Sequence, residues 1–171
     1  STHCISSAAS DVYKRQEISE EGAAQAVKIY RDYYETKGQF EAHLYDGIKE
    51  VLEKLSHDPN KKIYITTSKN EPTALEMCEY LGITEFFDGI YGATPTAFHK
   101  ADVLQRAITE NNANKDSSVI VGDTKFDLIG GKTVGIKTIA VTWGFGTNET
   151  LLAENPDFVA ETTQELWDIL K

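Results

Sequence analysis

Basic charge, cysteine and long apolar runs are what this 171-residue chain has least of. Lys and Arg number 17 against 27 Asp and Glu, for a formal net charge of −10. A nucleic-acid surface asks for a basic face, so that partner is not expected. An anionic substrate stays open, because a bound metal can invert the local field. The two cysteines, Cys4 and Cys78, are too far apart in sequence for a disulfide framework or a metal knuckle. Their use points to a reducing cytosol, and the chain is expected to be cytoplasmic. No apolar run approaches the roughly 20 residues of a membrane-spanning helix, so no membrane partner is expected. The amino terminus lacks a basic region followed by an apolar core, so no export signal is expected. Internal repeats and low-complexity tracts are absent too. What is present is the composition of an ordinary globular domain, 40% apolar and 26% charged, long enough for one core.

Residues 1–16 do not resemble the rest. They begin as a small-residue string, and Asp11-Val12-Tyr13-Lys14-Arg15-Gln16 resembles a translated transposon end. This stretch is expected to be a non-native or disordered leader. Residues 17–44 read as helix, with Ala23, Ala26, Val27, Tyr30 and Tyr34 at helical spacing and Lys37-Gly38 closing the segment. That aromatic stripe suits packing better than ligand binding. From Asp46 onward helices and strands alternate. Ile48, Val51, Leu52 and Leu55 form one helix face, and residues 61–67 read as a buried strand. A helix follows with Pro72 in its first turn, Ala74, Leu75, Met77, Cys78 and Leu81 inward, and Gly82 at its end. Short strands are expected at residues 86–92, 119–122, 137–142 and 157–160. Helices carry Val103, Leu104, Ala107 and Ile108, then start just beyond the Gly122-Asp123 turn, and last carry Leu166, Ile169 and Leu170. Alternation of this kind argues for an α/β fold with parallel strands and right-handed crossovers.

Three element ends carry polar groups of complementary type. Thr66-Thr67-Ser68 offers hydroxyls before a helix amino terminus, a phosphate cradle when amides are exposed beside them. Lys100 offers a point charge for a phosphoryl oxygen. Val119-Ile120-Val121-Gly122-Asp123-Thr124-Lys125-Phe126-Asp127 delivers two carboxylates around a strand-to-helix turn, where Mg²⁺ is the natural occupant. Each has a plainer reading: a helix cap for the hydroxyls, solvated surface for His99-Lys100, a turn for Gly122-Asp123. Together, in this order and each at an element terminus, they are the parts of a phosphoryl-transfer site.

That order of motifs resembles the haloacid dehalogenase-like hydrolase superfamily, and most closely its phosphoglycolate phosphatase-like branch. Leu44-Tyr45-Asp46-Gly47-Ile48 resembles the return from cap to core, Ile65-Thr66-Thr67-Ser68-Lys69 the second family motif, Lys100 the third, and Val121 through Asp127 the fourth. The resemblance implies a Rossmann-like three-layer core over residues 45–171, with residues 17–44 the remnant of a helical cap. It implies a Mg²⁺-dependent phosphomonoester hydrolase acting on a small phosphorylated metabolite. In it Asp123 binds the metal and Asp127 assists, directly or through water. Thr67, or Thr66 if the register slips by one, binds the phosphoryl group with Ser68 nearby, and Lys100 bridges nucleophile and phosphate. The family's first motif, Asp-x-Asp-Gly-Thr, has no counterpart here; the only Asp before residue 32 is Asp11. The chain is therefore expected to be amino-terminally truncated, to lack the nucleophile and to be inactive. A gap is expected in mid-sheet, between the strands bearing Thr67 and Asp123. A β-phosphoglucomutase-like mutase and a 5′-nucleotidase share the same motifs. A receiver-like phospho-acceptor domain or an inactive structural fragment is the non-enzyme reading.

Overall fold

The computed structural model describes residues 20–171. The leader assigned to residues 1–16, with Cys4 and Asp11, lies outside the described residues, as do residues 17–19. The first described helix, α1, spans Glu20–Thr36 and ends at Lys37, where a short 3₁₀ turn, Gly38–Phe40, takes over. Its apolar stripe is shallower than the spacing predicts. Tyr30, Tyr34 and Val27 are half-buried and Ala26 is exposed. Tyr30 and Tyr34 stack on each other, with ring centroids 5.8 Å apart.

Helices and strands then alternate as α2 (Ile48–Ser56), β1 (Tyr64–Asn70), α3 (Glu71–Tyr80), β2 (Gly89–Ala93), α4 (Lys100–Glu110), β3 (Val119–Gly122), α5 (Lys125–Val134), β4 (Lys137–Val141), α6 (Asn148–Leu152), β5 (Phe158–Ala160) and α7 (Thr163–Leu170). Every strand pair is parallel. Helices cover both faces of β4: Val51 and Leu55 of α2 and Leu166 of α7 meet Ile139, Val141 and Ala160 on one face. On the opposite face, Leu104 and Ile108 of α4 and Val134 of α5 meet Ile120, and Leu128 with Leu151 meets Ala140. This is the three-layer α/β arrangement that the alternation implies.

Among the described residues the sheet is in two parts. β1 pairs with β2, and separately β3 pairs with β4 and β4 with β5; among the described residues no strand joins β1 to β3. Two strand expectations change as a result. The 61–67 segment is not a deeply buried strand: its ladder runs from Tyr64 to Asn70 and Tyr64 through Lys69 are half-buried. Its first residues leave the ladder because the Ile63 amide donates to Asp88 Oδ2 at 2.9 Å. β3, an apolar run expected to be buried, alternates instead: Ile120 is 6% exposed, Val119 36% and Val121 38%. Val121 lies beside Ile139 in register, so both valines share the α2–α7 face. The helices there cover β4 and β5 but not β3.

Smaller differences have local causes. Leu75, expected inward, is 41% exposed, because α3 turns Ala74 and Cys78 to the core instead. Cys78 is buried and burial pushes its thiol up, which suits packing and not nucleophilic attack. Val103, Leu104, Ala107 and Ile108 are all buried, as their spacing predicts.

Candidate active site

The hydroxyl cluster owes its shape to a break in the β1–β2 ladder. Tyr64, Ile65 and Thr66 pair with Gly89, Ile90 and Tyr91, and the next pair is Asn70 with Ala93. Thr67, Ser68 and Lys69 therefore oppose Gly92 alone and arch away from the ladder. The Lys69 amide donates to Thr67 Oγ1 at 3.1 Å, closing the arch. α3 starts directly after it, with Pro72 in the first turn where its missing N–H costs nothing. The Glu71 carboxylate anchors the arch from behind: it accepts the Gly92 amide at 2.9 Å and the Arg106 guanidinium. Burial pushes the Glu71 carboxyl up, but those two donors outweigh it and leave the group below its ordinary range. Arg106 in turn lies 5.1 Å over the Tyr91 ring. None of this network was visible in the sequence, because Glu71 and Arg106 are 35 positions apart.

The carboxylates are placed by close backbone approach. A Cβ at Gly122 would lie 2.1 Å from Asp127 Cβ, so only glycine lets the first turn of α5 fold back on the strand end. Thr124 is the N-cap, and a capping box forms. Its amide and hydroxyl donate to Asp127 Oδ2 at 3.1 and 2.7 Å. Asp123 is held from the other side by the loop after β4. The Phe145 amide donates to Asp123 Oδ2 at 2.8 Å and the Gly146 amide to the Asp123 carbonyl at 2.9 Å. Gly144 makes room, since a Cβ there would lie 2.1 Å from that of Asp123. The signal in the sequence was the glycine spacing of Trp143-Gly144-Phe145-Gly146, without any hint of its target.

Lys100 joins the two sides. As the first residue of α4 it donates to the Thr66 carbonyl at 2.6 Å and pairs with Asp127 Oδ1, also at 2.6 Å. Its side chain is 15% exposed and that of Asp127 10%. The structure thus brings Thr66, Lys100 and Asp127 into direct contact, with Asp123 at the end of β3 beside them. Thr67 is tied to its own arch, and neither Thr67 nor Ser68 bonds to Lys100 among the described contacts. His99 is exposed and caps α4 without a side-chain bond, the solvated role expected of it.

The donor set suits a hard cation. Mg²⁺ takes oxygen ligands, keeps several waters and needs only one or two protein carboxylates. Among the described residues Asp123 has one carboxylate oxygen engaged by an amide and no donor recorded on the other. Both Asp127 oxygens accept from Thr124 and Lys100. No group of three His, Cys, Asp or Glu side chains that could hold a metal occurs among the described residues.

The chain is similar to known proteins in sequence and in fold. The haloacid dehalogenase-like hydrolase family matches residues 1–141. A phosphoglycolate phosphatase of Vibrio parahaemolyticus is 29% identical over 156 residues, 90% of this chain and 68% of its own length. A pyrophosphatase of Halalkalibacterium halodurans is 28% identical over 98% of this chain and 77% of its own length. A solved haloacid dehalogenase-like hydrolase from Streptococcus pneumoniae superposes with a TM-score of 0.84 and 42% identity, over 90% of this chain and 72% of that one. With the split ends of β1 and β3, the Lys100–Asp127 bridge and a family match across most of its length, the chain belongs to the haloacid dehalogenase-like hydrolases.

Proposed function

We propose that this chain carries the phosphate- and metal-holding part of a Mg²⁺-dependent phosphomonoester hydrolase of the phosphoglycolate phosphatase type. The observation that carries the reading is the Lys100 ammonium, set between the Thr66 carbonyl and Asp127 at the edge where Asp123 ends β3. A half-buried cation fixed between a hydroxyl-bearing arch and a carboxylate-bearing turn is suited to an anionic oxygen on a small phosphorylated metabolite.

Residue roles follow from position. Thr67, with Thr66 and Ser68 and the amides opening α3, would hold the phosphoryl oxygens. Lys100 would neutralise one of them. Asp127 keeps Lys100 in place and caps α5, so it acts on a metal at most through water. Asp123 would be the protein ligand of Mg²⁺, which when bound supplies charge neutralisation at the phosphoryl group. The Phe145 and Gly146 amides fix Asp123 by its carboxylate and its carbonyl, which supports this role. Residues 17–44 are read as cap remnant and residues 45–171 as core, in a cytoplasmic enzyme. The nucleophile is read as lying outside the chain, so residues 1–171 alone should not turn over substrate.

The test is phosphate release from p-nitrophenyl phosphate with Mg²⁺. The chain alone should stay at the buffer background. A version extended by an Asp-x-Asp strand should show turnover that Asp123→Asn abolishes. Turnover by the chain alone, or a Mg²⁺ titration unchanged by Asp123→Asn, would overturn the assignment.

A further inference from the structure

The arch that carries the hydroxyls is held by one helix at both of its ends. Between the pairs Thr66–Tyr91 and Asn70–Ala93, β1 has three residues where β2 has one, so Thr67, Ser68 and Lys69 stand out of the ladder opposite Gly92. Extra residues of this kind re-aim side chains next to a site, and they need anchors to keep one shape. At the entrance, Lys100 of α4 donates to the Thr66 carbonyl at 2.6 Å. At the exit, Arg106 of the same helix bonds to the Glu71 carboxylate. The same Glu71 oxygen accepts the Gly92 amide at 2.9 Å, which ties the exit to β2. Only glycine permits this approach, since a Cβ at Gly92 would collide with the Glu71 backbone and lie 2.7 Å from the Lys69 carbonyl oxygen. Arg106 is itself set by its surroundings. Its guanidinium lies 5.1 Å over the ring of Tyr91, the residue in register with Thr66. The Tyr91 hydroxyl accepts from Asn111, the C-cap of α4, at 2.7 Å. The Arg106 side chain is 21% exposed, against 55% for Glu110, a second partner 3.8 Å away.

We propose that the Glu71–Arg106 pair positions the phosphate cradle: it holds the exit of the arch as Lys100 holds its entrance, and so fixes the curvature at which Thr67 and Ser68 meet a phosphoryl group. Glu71 and Arg106 are positioning residues and touch no substrate. The proposal rests on the hydrolase reading, which makes the arch a cradle. The sign of the effect separates this role from a purely electrostatic one. Glu71 puts a negative charge behind a site for an anion, so by Coulomb's law its removal alone should favour phosphate. Loss of an anchor should disfavour phosphate, because donors that no longer keep one geometry must be ordered at each binding event. The two bonds of Glu71 can also be taken apart. Glu71→Gln keeps an oxygen for the Gly92 amide but loses the ion pair, whereas Glu71→Ala loses both. Arg106→Lys keeps the charge as a point donor, without the planar fork.

The experiment titrates the ¹⁵N-labelled 171-residue chain with inorganic phosphate in the presence of Mg²⁺ and follows the Thr67, Ser68 and Lys69 amides. Glu71→Ala should weaken phosphate about tenfold, the scale of one charge-assisted hydrogen bond, and Glu71→Gln roughly threefold. Arg106→Met should weaken it at least as far as Glu71→Gln, and Arg106→Lys should restore most of that loss. Glu110→Gln should leave the affinity at the wild-type value. Amide exchange at Gly92 should quicken in Glu71→Ala and hold in Glu71→Gln, while exchange across β4 stays at the wild-type rate and reports an intact core. If Glu71→Ala disturbs β4, Glu71→Gln and Arg106→Lys decide the case. Unchanged or tighter phosphate binding in Glu71→Gln with β4 intact would overturn the proposal and leave the hydrolase reading standing. So would an Arg106→Lys affinity no better than that of Arg106→Met. Arch amides that do not respond to phosphate in the wild-type chain would overturn the hydrolase reading itself, and the proposal with it.

Discussion

β3, β4 and β5 with their helices, set against β1 and β2 with theirs, show how differently two halves of one parallel sheet can be finished. In the first, Ile139, Ala140, Leu128, Leu151 and Thr138 are at most 1% exposed. β4 has a strand on each side and helices on both faces. In the second, the β1 residues from Tyr64 to Lys69 are all half-buried, though Ile65 is as apolar as anything in β4. Residue type separates the halves in part, since β1 reads Tyr-Ile-Thr-Thr-Ser-Lys-Asn, but Ile65 and Ile139 differ in burial through their neighbours. A strand is buried by what lies beside it as well as above and below it, and β1 lacks one flank among the described residues. The candidate site sits across this boundary, with its hydroxyls on the open half and its carboxylates on the closed one. Lys100 is the side chain that ties them together.

That contrast can be broken most forcefully in the closed half. Leu128→Ala should cost about 3 kcal/mol in urea unfolding, because a fully buried leucine leaves a cavity that its neighbours cannot fill. Ile65→Ala in β1 should cost about 1 kcal/mol, since its surroundings already admit water. Equal losses would mean the halves are equally packed. Gly122→Ala should come next, at about 2 kcal/mol from overpacking against Asp127. It should also shift the Thr124 amide resonance as the capping box opens; an unmoved resonance would show that α5 simply slides. Thr138→Val tests the polar content of the closed half. It removes a fully buried hydroxyl that bonds Asp157 Oδ2 at 2.9 Å, and should cost about 1 kcal/mol in thermal unfolding.

The smallest expected effect is in acid, and it sharpens the comparison by half. The Thr138 amide and hydroxyl hold the Asp157 carboxyl below its usual range in the closed half. Lys62 and the Ile63 amide do the same for Asp88 in the open half. Folded values depressed below unfolded ones give stability that is complete above about pH 5 and lost as pH falls through the folded values. Asp157→Asn should flatten the acid limb of β4–β5 protection and Asp88→Asn that of β1–β2, read by hydrogen exchange at each half. A shared response would show one cooperative unit.

Much of the site was legible because its parts end elements. Gly122 before Asp123, Thr66 to Ser68 before Pro72, and His99-Lys100 at a helix start all mark termini by local chemistry. The spacing of Val103, Leu104, Ala107 and Ile108 placed α4 correctly for the same reason: periodicity is local. What escaped were pairs made across the fold. Glu71 with Arg106, Asp123 with Phe145, and Asp127 with Lys100 have no signature in sequence, because their separation is closed by packing. The exposure of Val119 and Val121 escaped too, since an apolar β-branched run reads as buried whatever flanks it.

The chain by itself determined the alternation of helices and strands, the helix ends, and the set of hydroxyl, ammonium and carboxylate groups at the termini. Each of these depends on a residue and its few neighbours along the backbone. Only the tertiary structure decided that Lys100 would be shared between Thr66 and Asp127 and that Asp127 would be occupied by capping and ion pairing. Those outcomes depend on which elements lie side by side, and that is set by burial summed over the whole core.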